Sequence, residues 1–361
     1  MDGFKNTLLK KIDSLSKADK EIFDSIYTVF ESTGELKPPI EMQSYIESTF
    51  GSLKDVEKQD FLRIVDKVTY EGAIFNELRT MRPLTGDKNF TEVIEQIELA
   101  KNGPFTHPLT ATPADTFGRI KGEYCITASN IAKYDGLHGL VIFNDHNPLL
   151  FSRKRVRDYF DVASKWFEKA HHENQNAIYP FFTWNCLWRA GASIIHGHAQ
   201  VALASDQAYA KIEMLRNLSH KYQETYRRNY FDSVYNIHKK IGLAFERKDV
   251  KIISRITPIK EMEVMIINHG LDDHLADVVS DTLNAMKENL GVASFNLSII
   301  LPPMTNTTEV WSHMPIIVRI VDRGNLSAKT ADIGAMELYA QSVIGTNPYL
   351  VYEKLHKALL K

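Results

Sequence analysis

Apolar residues recur at helical spacing early in the chain, where Ile22, Phe23, Ile26, Val29 and Phe30 follow a Ser16/Asp19 capping pattern. Lys37-Pro38-Pro39 breaks that helix, and a second helical pattern covers about 56–75, so residues 1–75 are expected to form a helical extension. That extension reads first as a packing cap or an oligomer surface, with a homodimer as the expected assembly. A strand pair is predicted over 124–128 and 139–143. A helix over about 153–174 follows, with Val156, Tyr159, Phe160, Ala163, Phe167 and Ala170 on one stripe. A strand over 191–203 closes this set, and a long helical stretch spans about 206–246. The pattern then restarts with strands at 251–256 and 263–268, a helix at 272–290, and strands at 295–301 and 311–321. Strand, strand, helix, strand occurs twice, which predicts an α+β protein made of a first half over 76–205 and a duplicated second half over 206–361.

The strand over 191–203 carries the chemistry. A period of two puts His196, His198 and Gln200 on one face and small Gly197 and Ala199 on the other. Two imidazoles and an amide make a poor core, because each buried polar group needs a partner. They make a good nucleophilic site, since neutral imidazole can attack phosphorus unaided and leave again. A His-x-His metal pair and coincidence are the competing readings at this point.

Composition narrows the classes. A hydrophobic content of 44% and a net charge of −2 describe an ordinary globular chain with no field suited to nucleic acid or an acidic membrane surface. Cys125 and Cys186 form no disulfide framework and no Cys-x-x-Cys knuckle. The first twenty residues are charged throughout and lack a signal-like apolar stretch, and no apolar run is long enough to span a bilayer, so cytoplasm is the expected compartment.

The run 185–200, with an Asn, a Gly-x-Ser and His-x-His-x-Gln at this spacing, resembles the active-site strand of the galactose-1-phosphate uridylyltransferase branch of the histidine-triad superfamily. The resemblance implies two fused histidine-triad-like halves with mainly antiparallel sheet and packed helices. It makes His198 the residue that carries a nucleotidyl group. It makes Gln200 the replacement of a third histidine, Ser193 a phosphate donor, His196 a positioning neighbour, and Asn185 and Gly191 nucleotide contacts. Arg79-Thr80-Met81-Arg82-Pro83-Leu84-Thr85-Gly86 resembles the family's phosphate-binding stretch, which assigns phosphate contact to Arg79 and less firmly to Arg82. Asn130 matches a base-and-ribose asparagine, although an Asn in a loop equally bonds its own backbone. Glu337, in a segment resembling the closing Gly-x-Glu, is the implied sugar contact, with helix opening as the competing role.

Two departures matter. Gly103 and Thr106 stand at the family's zinc-cysteine positions, leaving His146 and His196 as partners with His107 a third candidate displaced in register, so no zinc is expected. Arg189 replaces a small residue and is either surface or extra phosphate charge. The second half keeps only His313 and is expected to supply substrate contacts without a nucleophile. The implied reaction moves a nucleoside monophosphate between a nucleoside diphosphate sugar and a sugar 1-phosphate. Two other readings stay open: a phosphorylase of a nucleoside diphosphate sugar or dinucleoside polyphosphate that uses inorganic phosphate, and a silent nucleotide-binding protein.

Overall fold

In this computed structural model, which describes residues 3–76, 78–79 and 90–360, strands and helices alternate along the chain. The strands are β1 (Tyr27–Glu35), β2 (Lys58–Asp66), β3 (Gly72–Phe75), β4 (Cys125–Ser129), β5 (Leu137–Phe143), β6 (Ala177–Cys186), β7 (His198–Ser205), β8 (Ala244–Arg247), β9 (Val250–Ser254), β10 (Val264–Asn268), β11 (Phe295–Ile300), β12 (Ile316–Asp322) and β13 (Ser342–Ile344). The helices are α1 (Phe4–Asp13), α2 (Lys17–Ile26), α3 (Ile40–Phe50), α4 (Leu53–Glu57), α5 (Phe90–Leu99), α6 (Pro108–Ala111), α7 (Arg153–Glu173), α8 (Ala210–Tyr226), α9 (Tyr230–Lys240), α10 (Asp273–Leu290), α11 (Ala335–Tyr339) and α12 (Pro348–Leu359).

A nine-stranded sheet runs β4-β5-β7-β6-β11-β12-β10-β9-β8. The quartet β4-β5-β7-β6, with α7 between β5 and β6 in the chain, is mirrored by β9-β10-β12-β11, with α10 between β10 and β11. The two quartets meet where β6 pairs antiparallel with β11, from Cys186 opposite Phe295 to Phe181 opposite Ile300. One face of the sheet is apolar: Val141, Val201, Phe182, Trp184, Leu297, Ile299, Val318 and Ile266 form a continuous core with α7 and α10. Bidentate Arg157–Asp277 contacts of 2.8 Å tie those helices together.

The alternate residues face the other way. Over β9 to β12 that second face is covered by a separate core that joins Ile253, Met265, Ile267, Ile300 and Ile317 to α1, α2, α8, α9 and the N-terminal strands. Over β4 and β5 it carries the small cluster Phe105, Ala128, Leu140 and Ile142. The polar residues of β6 and β7 lie between these two clusters.

Three expectations need correction. The helix expected over 16–30 stops at Ile26 and continues as β1, and the pattern over 56–75 is α4 followed by the β2–β3 hairpin, so residues 1–75 are not wholly helical. In β2 only Leu62, Ile64 and Asp66 are buried, a period of two that short apolar runs do not distinguish from a helix. These strands form a four-stranded sheet, β1-β2-β3-β13, whose last strand comes from the chain's C-terminal region and pairs parallel with β3. The strand predicted over 191–203 begins only at His198, and the residues before it form a loop. Among the described residues no helix is long and apolar enough to cross a membrane.

Glu71, in the β2–β3 turn, fastens the small sheet to the large one. Its Oε2 accepts from Arg255 at 2.8 Å and its Oε1 from Arg319 at 2.5 Å, while Glu263 takes Arg319 Nε at 2.5 Å. Burial alone would raise the Glu71 carboxyl, but the charges of Arg319 and Arg255 prevail and hold it below the usual carboxylate range. Arg255 is only 1% exposed, so losing its partner strands a buried charge. Glu71→Gln is expected to lower the unfolding free energy by about 3–5 kcal/mol, measured by urea denaturation; a loss below about 1 kcal/mol would show that the pair is not what holds the module.

Candidate active site

His198 opens β7, with Ile142 of β5 opposite it. Its Nδ1 is 2.8 Å from the carbonyl oxygen of His196. A carbonyl only accepts, so Nδ1 carries the proton and the Nε2 lone pair is left free. No hydrogen bond reaches Nε2 among the described residues. The ring is 7% exposed, and the edge of Phe105 lies against it with centroids 5.1 Å apart. Burial pushes this imidazole below the ordinary histidine value, His196 adds to the effect, and the carbonyl hydrogen bond opposes it. The group is therefore a neutral base with one nitrogen available.

Gln200 shares the face of His198, and its carbonyl is fully engaged. The Tyr134 hydroxyl and His138 Nε2 both donate to Oε1, the latter at 2.9 Å. His138 Nδ1 in turn accepts the Tyr134 backbone N–H at 3.1 Å, which fixes the tautomer with Nε2 protonated. Two donors on Oε1 settle the amide orientation and leave its NH2 group as a donor with no partner among the described residues. His138 is 0% exposed, and burial pushes it below the ordinary histidine value. Sequence reading missed both Tyr134 and His138. The available signal was His138 at period two with Leu140 and Ile142, on the β5 face that adjoins His198 and Gln200.

Although residue 196 precedes the strand, His196 lies on the same side as His198, with Phe105 against both rings. Its Nε2 donates to the Phe143 carbonyl at 2.8 Å, and its buried Nδ1 has no hydrogen-bond partner. It positions the loop from within. Gly197 follows it in tight contact with β5: its carbonyl accepts from Phe143 N–H at 2.9 Å, and a Cβ on it would fall 2.6 Å from the Phe143 ring. Any side chain at 197 would force the loop and the Phe143 ring apart.

Ser193 is exposed in the same loop. Gly191, at φ +87°, ends the 3-10 turn Trp188–Ala190. Asn185 on β6 accepts from Asn296 Nδ2 at 2.7 Å, and that same nitrogen donates to Ala190 O at 2.8 Å. Arg323 donates to Asn296 Oδ1 at 2.5 Å and clamps Asp332 with two bonds of 2.7 and 2.9 Å. Arg189 joins this strap through the Thr330 carbonyl at 2.5 Å and the Ala328 carbonyl at 3.4 Å, which settles its role as structural.

Asn130 uses its Oδ1 on the Ala132 N–H at 3.1 Å, the local role weighed for it. Glu337 accepts from Gly334 N–H at 2.9 Å and opens α11. Burial would raise its carboxyl, but the Gly334 bond and the charges of Lys260 and Arg79 hold it below the usual range, which places exposed Arg79 near it. Arg82 and Gly86 lie outside the described residues.

The turn Pro104–Thr106 sits beside His196, with Phe105 and His196 centroids 6.0 Å apart, but Gly103 and Thr106 bring no thiolate. His146 Nε2 lies 3.5 Å from Glu98 Oε1 without a hydrogen bond. Among the described residues no three His, Cys, Asp or Glu side chains are grouped to hold a metal. This donor set does not fit a four-ligand structural zinc site.

Neither a protein-family model nor a curated protein matches this sequence. Solved structures do. An ADP-glucose phosphorylase from Arabidopsis thaliana with bound ADP-glucose superposes with a TM-score of 0.61 at 16% identity, over 82% of this chain and 98% of that one. A GalT-like protein from the same plant gives 0.60 at 16%, over 82% and 99%. A uridylyltransferase gives 0.56 at 16%, over 69% and 88%.

With 15N-labelled histidine, His198 is expected to show the Nδ1-protonated tautomer at pH 7 and a titration midpoint below 6.5 by NMR. An Nε2-protonated ring, or a midpoint above 6.5, would contradict the arrangement.

Proposed function

We propose that this chain, which has the fold of the galactose-1-phosphate uridylyltransferase-like histidine-triad proteins, is a nucleotidyltransferase acting through a nucleotidyl-histidine on His198. The observation that carries the reading is the His198 ring itself, with Nδ1 tied to its own backbone neighbour, Nε2 free and the group neutral. In the first step the Nε2 lone pair attacks the α phosphorus of a nucleoside diphosphate sugar. The P–O bond to the bridging oxygen breaks, and a sugar 1-phosphate leaves with the electron pair. In the second, an oxygen of an incoming phosphate attacks the same phosphorus, the N–P bond breaks, and neutral imidazole is restored. The anhydride's energy is conserved in the N–P bond, so the scheme requires neither ATP nor a redox partner.

Gln200 supplies the oriented N–H donor for the phosphoryl oxygens, where charge spreads in the transition state. Ser193, Arg79, Asn130, Asn185 and Gly191 are assigned to the nucleotide and its phosphates, and Glu337 to sugar hydroxyls. A sugar 1-phosphate is the acceptor in the first reading. Inorganic phosphate is the second, favoured by the near-complete coverage of the ADP-glucose phosphorylase.

Incubation with α-labelled UDP-glucose, UDP-galactose and ADP-glucose is expected to leave an acid-labile, base-stable label on His198, discharged by one of the two acceptors. His198→Ala should abolish the label and cut turnover by at least about 10^4-fold, and Gln200→Ala should cut it by about 10^2-fold. Tyr134→Phe should cost about tenfold in kcat with KM little changed, since it only frees the amide to turn. A silent binding protein would instead show saturable nucleotide binding with no product. Steady turnover without any label on His198 would reject the covalent route.

A further inference from the structure

Asn185 of β6 shares a face with Thr183, and Thr183 lies opposite Gln200 of β7. Carried two residues further, that register sets Asn185 abreast of His198, just past the point where the β6–β7 ladder ends. On its other side Asn185 stays paired, opposite Asn296 of β11. Its amide therefore stands between the His198 position and a strand of the second quartet. What it can offer a ligand depends on which of its two ends is left free.

The neighbours settle that end by end. Arg323 only donates, and it bonds Asn296 Oδ1, so the Asn296 Nδ2 must face elsewhere. The Ala190 carbonyl only accepts, and it takes Asn296 Nδ2 at 2.8 Å, an independent constraint of the same sense. Asn185 must then present its Oδ1 to Asn296 Nδ2, at 2.7 Å. Its own Nδ2 is left without a partner among the described residues and, unlike His196 Nδ1, is not sealed from solvent. The polarity of one amide is thus imposed on the next. Arg323 is anchored in turn by Asp332, which takes its Nε and Nη2 at 2.7 and 2.9 Å. Burial would raise the Asp332 carboxyl, but the Arg323 bonds and charge prevail and hold it below the usual carboxylate range.

The chain between Asn185 and His198 is preset by the same segment. Leu187 is held at φ +67° and ψ 172°, a region that glycine alone adopts freely, although its side chain is 1% exposed. Such strain persists only where the surroundings over-determine it. Here the Leu187 carbonyl takes the N–H groups of Ala190 and Ala192, while Trp188 Nε1 and the Arg189 guanidinium bond carbonyls within 323–330. The 323–332 segment therefore holds both the Asn185 amide and the turn that leads to His198.

We propose that Asn296 is a positioning residue of the nucleotidyl site, fixed by Arg323, and that it keeps the Asn185 N–H donor free for a phosphoryl oxygen beside His198. The role rests on the nucleotidyltransferase reading, while the amide orientation rests on the hydrogen bonds alone. It gives the half that lacks a nucleophile a part in the transfer step, because a donor oriented beforehand needs no reorganisation as charge develops.

Asn296→Asp tests this with almost the same shape: the carboxylate keeps Arg323 but has no N–H, so Asn185 must turn its Nδ2 inward and offer Oδ1 to the site. In protein labelled with 15N-asparagine, the Asn185 side-chain NH2 should exchange with solvent at least about tenfold faster than that of Asn296, and should become protected in Asn296→Asp. A protected Asn185 amide in the wild type overturns the proposal. Asn296→Asp should slow the labelling of His198 by α-labelled nucleoside diphosphate sugar at least about tenfold, with KM changed less than about threefold. Asn296→Ala, which only frees the amide to turn, should lose less, and neither substitution should slow Asn185→Ala any further. Full-rate labelling by Asn296→Asp, a larger loss in Asn296→Ala, or losses that persist in the Asn185→Ala background overturn the proposal. If the wild type never takes label, the covalent reading falls by itself and calorimetric titration with UMP and AMP replaces the rate. Binding at least about tenfold weaker in Asn296→Asp, but not on top of Asn185→Ala, then sustains the positioning role. Unchanged binding, or no binding of either nucleotide by the wild type, overturns it.

Discussion

The antiparallel pairing of β6 with β11 is the constraint on which the rest depends. It turns two four-strand units into one sheet, so that a single alternation of side chains governs both halves. Because Phe182 and Trp184 of β6 and Leu297 and Ile299 of β11 must meet α7 and α10, Thr183, Asn185, Asn296 and Ser298 are forced onto the opposite face. A slip of one residue would bury the polar set and expose the core. The site thus occupies the face that the helices do not need.

On that face, orientation is set by backbone and by a few buried donors rather than by charge. The His196 carbonyl selects the His198 tautomer, and Tyr134 with His138 selects the Gln200 amide orientation. Both devices cost the protein little, because each buried polar atom they use is satisfied by the same contact. They leave a lone pair on His198 and an N–H donor on Gln200 with no partner among the described residues. Gly197 makes this geometry reachable by letting the loop lie against Phe143.

The N-terminal module follows a different logic. Its core is continuous with that of α8 and α9, and β13 from the far end of the chain closes its sheet, so it is built into the body rather than appended to it. Glu71 between Arg255 and Arg319 fixes the angle of the β2–β3 turn.

The sequence by itself determined the duplicated strand and helix order and the long amphipathic helices, and it singled out His198 with Gln200 as candidates, because period and residue chemistry are local properties. Tertiary structure alone decided that β1 to β3 are strands, that His196 Nε2 is spent on the Phe143 carbonyl, and that Arg189 is a strap. Only the fold could bring Tyr134 and His138 to Gln200, or Glu71 to two arginines far along the chain. Those outcomes depend on partners distant in sequence, and a buried polar group declares its role only once the atom that satisfies it is in place.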